Sequence, residues 1–382
     1  MTATALMLVA GCSAGQTAQT SPTPVALATA APSWPSLDDL VRQRVAGMTL
    51  DQKVGQLFMV GLQQDAPAAL LEPMIGGGQV GGVLLLGTDW TMDQATATTA
   101  ALNSYAAGQP GLYLGVDQEG GQVQHLDGTG FTLMPPATDQ GAMAPSDLTA
   151  QATAWGAELR QAGININLAP TVDTVPVSML QTNQPIARHN RQFGSDPAQV
   201  GEHAAAFVAG MNAGGVQACL KHFPGLGYIT GNTDLTADGI VDEVTTRGDA
   251  NLAAFATAIA AGPSMVMVSS ATYAQIDPGS PALFSSIVIT QVLRGDLGWQ
   301  GVVISDTLSA KSVAAWTPGQ RAIGFIAAGG DIALFTSFAD AQSAIADVTA
   351  QAASDPGFAA QVDAAVTRVL AAKQAAGLMP VG

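Results

Sequence analysis

The residues in this chain best equipped for chemistry are a set of carboxylates, a lysine and a histidine. Each stands just after a short apolar run. Asp117 follows Leu112–Val116 and opens Gln118-Glu119-Gly120-Gly121. Asp173 follows Ile164–Leu168 through Ala169-Pro170, and Lys221 and His222 end Val216–Leu220 and lead into Phe223-Pro224-Gly225. Ser269 and Ser270 end Met265–Val268, and Ser305 and Asp306 end Val302–Ile304. Taken singly, each carboxylate or serine reads as the cap of a following helix. Together they are too many, and too mixed in charge, for capping alone. Carboxylates converging with hydroxyls, amides and a Lys/His pair suit sugar chemistry. One carboxylate attacks or stabilises the anomeric carbon, another group protonates the leaving oxygen, and cationic and amide donors hold the hydroxyls. A Schiff-base role for Lys221 is a rival. A metal site is disfavoured, because there are only four histidines and no H-E-x-x-H or H-x-H spacing. No cofactor is implied.

Such convergence requires strands that all end on one face. The candidates are Gln56–Val60, Gly82–Leu86, Leu112–Val116, Ile164–Leu168, Val216–Leu220, Met265–Val268, Val302–Ile304 and Asp331–Leu334. Each is apolar on consecutive residues, as a strand covered on both faces should be. Helical patterns fill most of the intervals. In Thr149–Ala162, for example, Ala152, Trp155, Leu159 and Ala162 share a face. Alternating β and α implies a parallel sheet, and eight units imply closure into an α/β (β/α)₈ TIM-type barrel forming one catalytic domain. The alternative is an open doubly wound sheet. The first strand runs into no glycine-rich phosphate loop, and there is no P-loop, so that alternative's usual nucleotide-binding signs are missing.

The chain has 382 residues, a formal net charge of −16, 48% hydrophobic residues and 11% charged residues. That composition excludes disorder of the main body. The acidity disfavours nucleic acid and, without an anchor, an anionic bilayer. There are two cysteines and so no disulfide framework. Cys219 lies in an apolar run and reads as a core thiol. Cys12 follows the apolar Leu8-Val9-Ala10-Gly11, which resembles a bacterial lipoprotein signal, although no Lys or Arg precedes it. Residues 1–12 therefore read as a signal segment, and 13–36, rich in Ala, Ser, Thr and Pro, as a flexible tether. Residues 37–382 read as the barrel. The expectation is an extracytoplasmic monomer, lipid-anchored to the cell membrane on Cys12.

The motifs also carry a family resemblance. Lys221-His222-Phe223-Pro224-Gly225 and Asp117-Gln118-Glu119-Gly120-Gly121 resemble signatures of glycoside hydrolase family three. So do Leu168-Ala169-Pro170 with Asp173, Asn190-Arg191-Gln192-Phe193-Gly194, Gly301–Asp306 and Ala328-Gly329-Gly330-Asp331. The likeness runs in order from about Leu37 onward. With no second domain after the barrel, the chain looks most like the bacterial β-N-acetylglucosaminidase branch, which trims cell-wall saccharides. The resemblance implies Asp306 as a nucleophile that forms a covalent glycosyl-enzyme. It implies that Asp117, Arg191, Lys221 and His222 hold the hydroxyls of a β-linked, N-acetylglucosamine-containing saccharide.

The chain departs from that branch at the proton donor. An Asp-Ser-His triplet of the branch reads Asn232-Thr233-Asp234 here. Leu226 stands where His or Arg is usual, and Gln122 and His125 replace arginines. Three readings stay open. Asp234 donates directly, another carboxyl (Asp242, Glu243 or Glu119) reaches the site, or the protein binds sugar with little or no turnover. Glucose in place of N-acetylglucosamine is a further alternative.

Overall fold

In the computed structural model, residues 1–2 and 37–379 are described. Cys12 and the 13–36 tether lie outside them. The barrel strands are β1 (Phe58–Gln63), β2 (Gly82–Leu86), β3 (Tyr113–Val116), β4 (Ile166–Asn167), β5 (Gln217–Phe223), β6 (Met265–Val268), β7 (Val302–Ser305) and β8 (Ala333–Phe335). Each pairs in parallel with the next, and β1 pairs with β8. A parallel bridge between Ile304 and Ile332 closes β7 onto β8. The eight expected strands are therefore present as a (β/α)₈ barrel; β3, β6 and β7 are buried along their whole length, and β2 up to its last residue, Leu86.

The element boundaries show where local chemistry overrode the apolar pattern. Gln56 ends a helix instead of starting a strand. Thr49 and Gln52 form a reciprocal capping box that opens helix Leu50–Gln56, and β1 begins only at Phe58. The helix before β4 starts at Pro145, which occupies the first turn where a missing N–H costs nothing, and runs to Gln161. It buries Ala152, Trp155 and Leu159, as the 3.6-residue period requires. Among the described residues no helix is long and apolar enough to cross a membrane.

The barrel is fastened at the end opposite the catalytic-type loops by a buried charge. Asp331, two residues before β8, is fully buried. Its Oδ2 accepts from Val303 N at 2.8 Å and from Arg294 Nη2 at 2.7 Å, and its Oδ1 accepts from Arg368 Nε at 2.7 Å. One carboxylate thus ties the β7–β8 seam to helices Ile287–Asp296 and Pro356–Ala375. Burial pushes the carboxyl above its usual range, and the two guanidiniums offset this only in part. Replacing Asp331 by Ala should leave two guanidiniums without their partner. It is expected to cost roughly 3 kcal/mol, read as a lower urea midpoint at unchanged m-value. An unchanged midpoint would show that the seam closes without it.

Candidate active site

The strand ends deliver their polar side chains to one cavity of about 440 Å³ at the C-terminal mouth of the barrel. Asp117, Arg191, Lys221, His222, Asp234 and Asp306 all line it, whereas Asp173, Ser269, Ser270 and Ser305 do not. Leu84, Leu86, Met267 and Leu334 supply apolar wall.

The positioning begins after β3. Gly120 (φ +101°) and Gly121 (φ +58°) make the turn of a short hairpin pairing Gln118–Gly120 with Val123–Gln124. A side chain on Gly120 would meet the Pro135 carbonyl at 2.3 Å, so this turn demands glycine. Gln118 pins the hairpin by exchanging hydrogen bonds with the backbone of Leu126. This fixes Asp117 and Glu119 on either side of one point.

Lys221 occupies that point. Its Nζ lies 2.5 Å from Asp117 Oδ1 and 2.6 Å from Glu119 Oε1. Arg191 completes the network with a two-pronged grip on Glu119, Nε to Oε2 at 2.8 Å and Nη2 to Oε1 at 2.7 Å. Its remaining Nη1 donates to the Pro185 carbonyl, and the Thr171 hydroxyl bonds the Arg191 carbonyl. Glu119 and Lys221 are buried. Burial would raise the Glu119 pKa, but Arg191 and Lys221 outweigh it and hold the carboxyl well below the usual range. Burial would likewise lower the Lys221 ammonium, yet Asp117 and Glu119 keep it above its ordinary value. A Schiff-base lysine needs a free amine. Lys221 is a fixed cation, so the geometry favours holding hydroxyls over attacking a carbonyl.

His222 is oriented from behind. Its Nδ1 donates to Asp173 Oδ2 at 2.7 Å, since a carboxylate can only accept there. Nε2 is left on the cavity side, 3.5 Å from Arg191 Nη2. Asp173 Oδ1 accepts from the backbone of His222 and Leu226, so this buried carboxylate also shapes the Lys221–Leu226 segment.

Asp306 leaves β7 with its backbone N–H on the Val268 carbonyl, which registers it against β6. Thr307 N donates to its Oδ1 at 2.8 Å. Asp234 arrives from the loop after β5. Asn232 Oδ1 accepts from Asp234 N, forming a tight turn. Lys311 N and Ser312 N then donate to the carbonyls of Asp234 and Thr233. The Asp234 loop is thus clipped to the loop that follows Asp306. Water reaches the Asp234 side chain, but the carboxyl sits in a concave mouth ringed by protein. Burial there, together with the negative charge of Asp306, pushes its pKa up to about 6, against the pull of His222 and Arg191.

The other carboxyls considered as proton donors are engaged elsewhere. Asp242 is buried, with its oxygens taken by Val244 N, Thr245 N and the Thr245 hydroxyl. Glu243 is exposed and does not line the cavity. Glu119 is held ionised. Gln122 and His125 do reach the cavity, at its outer part, with His189 Nδ1 2.9 Å from Gln122 Oε1. Sequence reasoning left the supporting roles of Glu119 and Asp173 unassigned, although both lie inside or beside the motifs quoted.

Carboxylates gathered with a guanidinium, an ammonium and an imidazole at a barrel mouth fit a glycoside hydrolase. The chain belongs to glycosyl hydrolase family 3, whose N-terminal domain matches residues 49–372. It is 36% identical over 266 residues to a β-hexosaminidase of Stenotrophomonas maltophilia, covering 67% of this chain and 76% of the relative. Among solved structures, a β-N-acetylhexosaminidase of Beutenbergia cavernae aligns with a TM-score of 0.83 at 48% identity, over 86% of this chain and 99% of that one. A family 3 β-N-acetylglucosaminidase of a Paenibacillus species aligns with a TM-score of 0.76 at 30% identity, over 88% of this chain and 64% of that one. The chain is therefore a glycoside hydrolase similar to the β-N-acetylhexosaminidases.

Because Glu119 sets the positions of both Arg191 and Lys221, Glu119→Gln should damage catalysis without touching the sugar directly. An ångström-scale misplacement costs roughly 100-fold, and that is the expected fall in kcat/KM on an aryl N-acetylglucosaminide. Near-normal kcat/KM in the folded variant would show that the pair is positioned without Glu119.

Proposed function

We propose that this protein is a retaining exo-β-glycosidase that releases terminal β-linked N-acetylglucosamine from cell-wall saccharides. The observation that carries the reading is the shared cavity of Asp306 and Asp234, with the Asp234 carboxyl lifted to about 6 while Asp117, Arg191, Lys221 and His222 stand ready for the ring hydroxyls. The activities of the relatives support the choice of sugar.

In the first step Asp306 attacks the anomeric carbon and the bond to the leaving oxygen breaks. That oxygen takes the proton of Asp234. In the second step ionised Asp234 takes a proton from water, the water oxygen bonds the anomeric carbon, and Asp306 departs. Two inversions give retention. Asp234 must be protonated for the first step, so kcat/KM on a natural disaccharide should fall as pH rises through about 6.

Two substitutions test these roles together. Asp306→Asn should abolish cleavage while leaving the thermal midpoint near that of the parent. Asp234→Asn should spare the first step for a nitrophenyl glycoside, which leaves almost unaided, and slow it severely for a disaccharide. The covalent intermediate should then accumulate, and azide, which needs no base, should restore turnover. The pH limb near 6 should vanish with it. Loss on both substrates without azide rescue would give Asp234 a structural role. Sugar binding with no turnover in the parent would replace the enzyme by a surface saccharide-binding protein, the reading that the altered Asn232-Thr233-Asp234 triplet favours.

We also propose that Cys12 carries a lipid anchor, from the apolar segment that ends in Ala10-Gly11-Cys12 and the uncharged tether behind it. A single acyl chain holds a protein to a bilayer only marginally, so more than one chain is required. Expressed in a bacterium, the full chain should fractionate with membranes and Cys12→Ser should not. Equal recovery would remove the anchor.

A further inference from the structure

The loop that carries Asp234 leaves β5 through a stem, residues 226–229, that lies outside any strand or helix. Three of its carbonyls converge on one side chain. Asn183 Nδ2 donates to those of Leu226, Gly227 and Ile229 at 2.7, 3.2 and 2.9 Å. The Oδ1 of the same amide accepts from Ile186 N at 3.0 Å and from Ala187 N at 2.8 Å. Asn183 is 1% exposed and is not among the residues that line the cavity, so it acts from behind the wall. It belongs to the loop after β4, which also brings Arg191. The Pro185 carbonyl accepts from Arg191 Nη1, and the Ile186 carbonyl accepts from Arg191 N. One buried amide thus joins the loop that delivers a hydroxyl-binding cation to the loop that delivers the proposed proton donor.

Beyond the stem the chain closes on itself. Thr230 N and Gly231 N both donate to the Gly239 carbonyl, and a Cβ on Gly231 would meet the Asp238 carbonyl at 2.0 Å. Asp234 lies within this closed unit, so its direction follows from where the unit is fastened. The exit is fastened by Val241–Asp242, which pairs with Thr272–Tyr273. The tip is fastened by Lys311 N and Ser312 N. The entry is fastened by Asn183. Asp173 also reaches the stem, through Leu226 N, but it orients His222 as well. Asn183 is therefore the side chain through which the stem can be released with His222 left in place.

We propose that Asn183 is a positioning residue for the proton donor. It holds the entry stem of the Asp234 loop to the Arg191 loop, so that the Asp234 carboxyl meets the leaving oxygen of the sugar that Arg191 and Lys221 hold. The inference rests on the glycosidase reading above and adds to it a residue that touches no substrate. Without Asn183 the three stem carbonyls lose this donor, and the stem must move to find another. Proton transfer requires hydrogen-bond reach, so a displaced Asp234 donates poorly. Its electrostatic setting changes too. Burial and then Asp306 do most to raise its pKa, with Asp117 adding to them and His222 and Arg191 opposing. A loosened loop weakens the two main causes, and the carboxyl falls toward its ordinary range.

The test uses Asn183→Asp, which keeps an acceptor for Ile186 N and Ala187 N but turns a second oxygen toward the three carbonyls. It is assayed beside the parent and Asp234→Asn on a nitrophenyl N-acetylglucosaminide and on the β-1,4-linked disaccharide of N-acetylglucosamine. The disaccharide kcat/KM should fall by about tenfold or more, and the nitrophenyl value should stay within about threefold. The pH limb near 6 on the disaccharide should move to lower pH. A residue that merely stabilised the fold would lower both substrates in parallel and leave the limb in place. Asn183→Ser, neutral and too short to reach the stem, should show the same split and keeps the test open if the buried carboxylate prevents folding. Parallel loss on both substrates, an unmoved limb, or parent-like values in the folded variants would overturn the proposal. So would failure of both variants to fold, which would make Asn183 a residue of stability alone. If the parent cleaves neither substrate, the glycosidase reading fails and takes the proposal with it. If the parent cleaves both but Asp234→Asn shows no split, the donor assignment fails in the same way. Where parent and Asp234→Asn behave as expected and the Asn183 variants do not, this inference alone falls.

Discussion

The contact on which the rest of the site depends is the one between Glu119 and its two cations. A buried carboxylate without a partner would be driven to its neutral form, and so would a buried lysine. Here each solves the other's problem, and Arg191 closes the network with two parallel bonds. The energetic gain over an apolar core is small, because desolvation consumes most of the attraction. The gain is in geometry. Two loops, after β3 and β4, are locked to Lys221 on β5, and two fixed charges are held at the cavity. Preorganisation of this kind removes reorganisation from the chemical step.

The arrangement also explains why the proposed acid sits where it does. Glu119 is held ionised and Lys221 protonated, so neither can change protonation cheaply. Asp234 is different. It comes from a loop clipped by backbone bonds to the segment after Asp306. Among the carboxyls considered as donors, it combines cavity access with a raised pKa. Asp242 shows the contrast. It lies eight residues further along the same loop region, and its oxygens are consumed by a local turn.

Much of this was legible in the residues. Strands covered on both faces must be apolar without interruption, so Gly82–Leu86 and Met265–Val268 could be read to the residue. Strand ends could be read because the chain turns polar there at once. What could not be read was partnership. Glu119 and Arg191 are 72 residues apart, and nothing local to either says that they meet. Glu119 stood among the alternative proton donors, and only its burial between two positive charges takes it out of that role. The start of β1 was misplaced for a similar reason. Gln56 is polar and adjoins an apolar run, but the Thr49 capping box, seven residues earlier, had already committed it to a helix.

The pairing of Asp306 with Asp234 has a consequence for the order of events in the proposed cycle. Part of what lifts Asp234 is the negative charge of Asp306. When Asp306 bonds to the sugar it becomes an ester and that charge is gone. Burial still raises Asp234, but the repulsion no longer does, while the pull of His222 and Arg191 remains. The Asp234 pKa must therefore drop once the first step is complete. The first step needs a protonated acid and the second an ionised base, so the nucleophile's own change of charge drives the donor toward the form required next. An imidazole in the same place would respond to the loss of Asp306's charge with the same sign, but it starts as a cation. Its proton is then held by attraction to Asp306, whereas that of Asp234 is held by avoidance of a second negative charge. In the proposed cycle an aspartate at this loop thus keeps the timing of the proton that an imidazole would give.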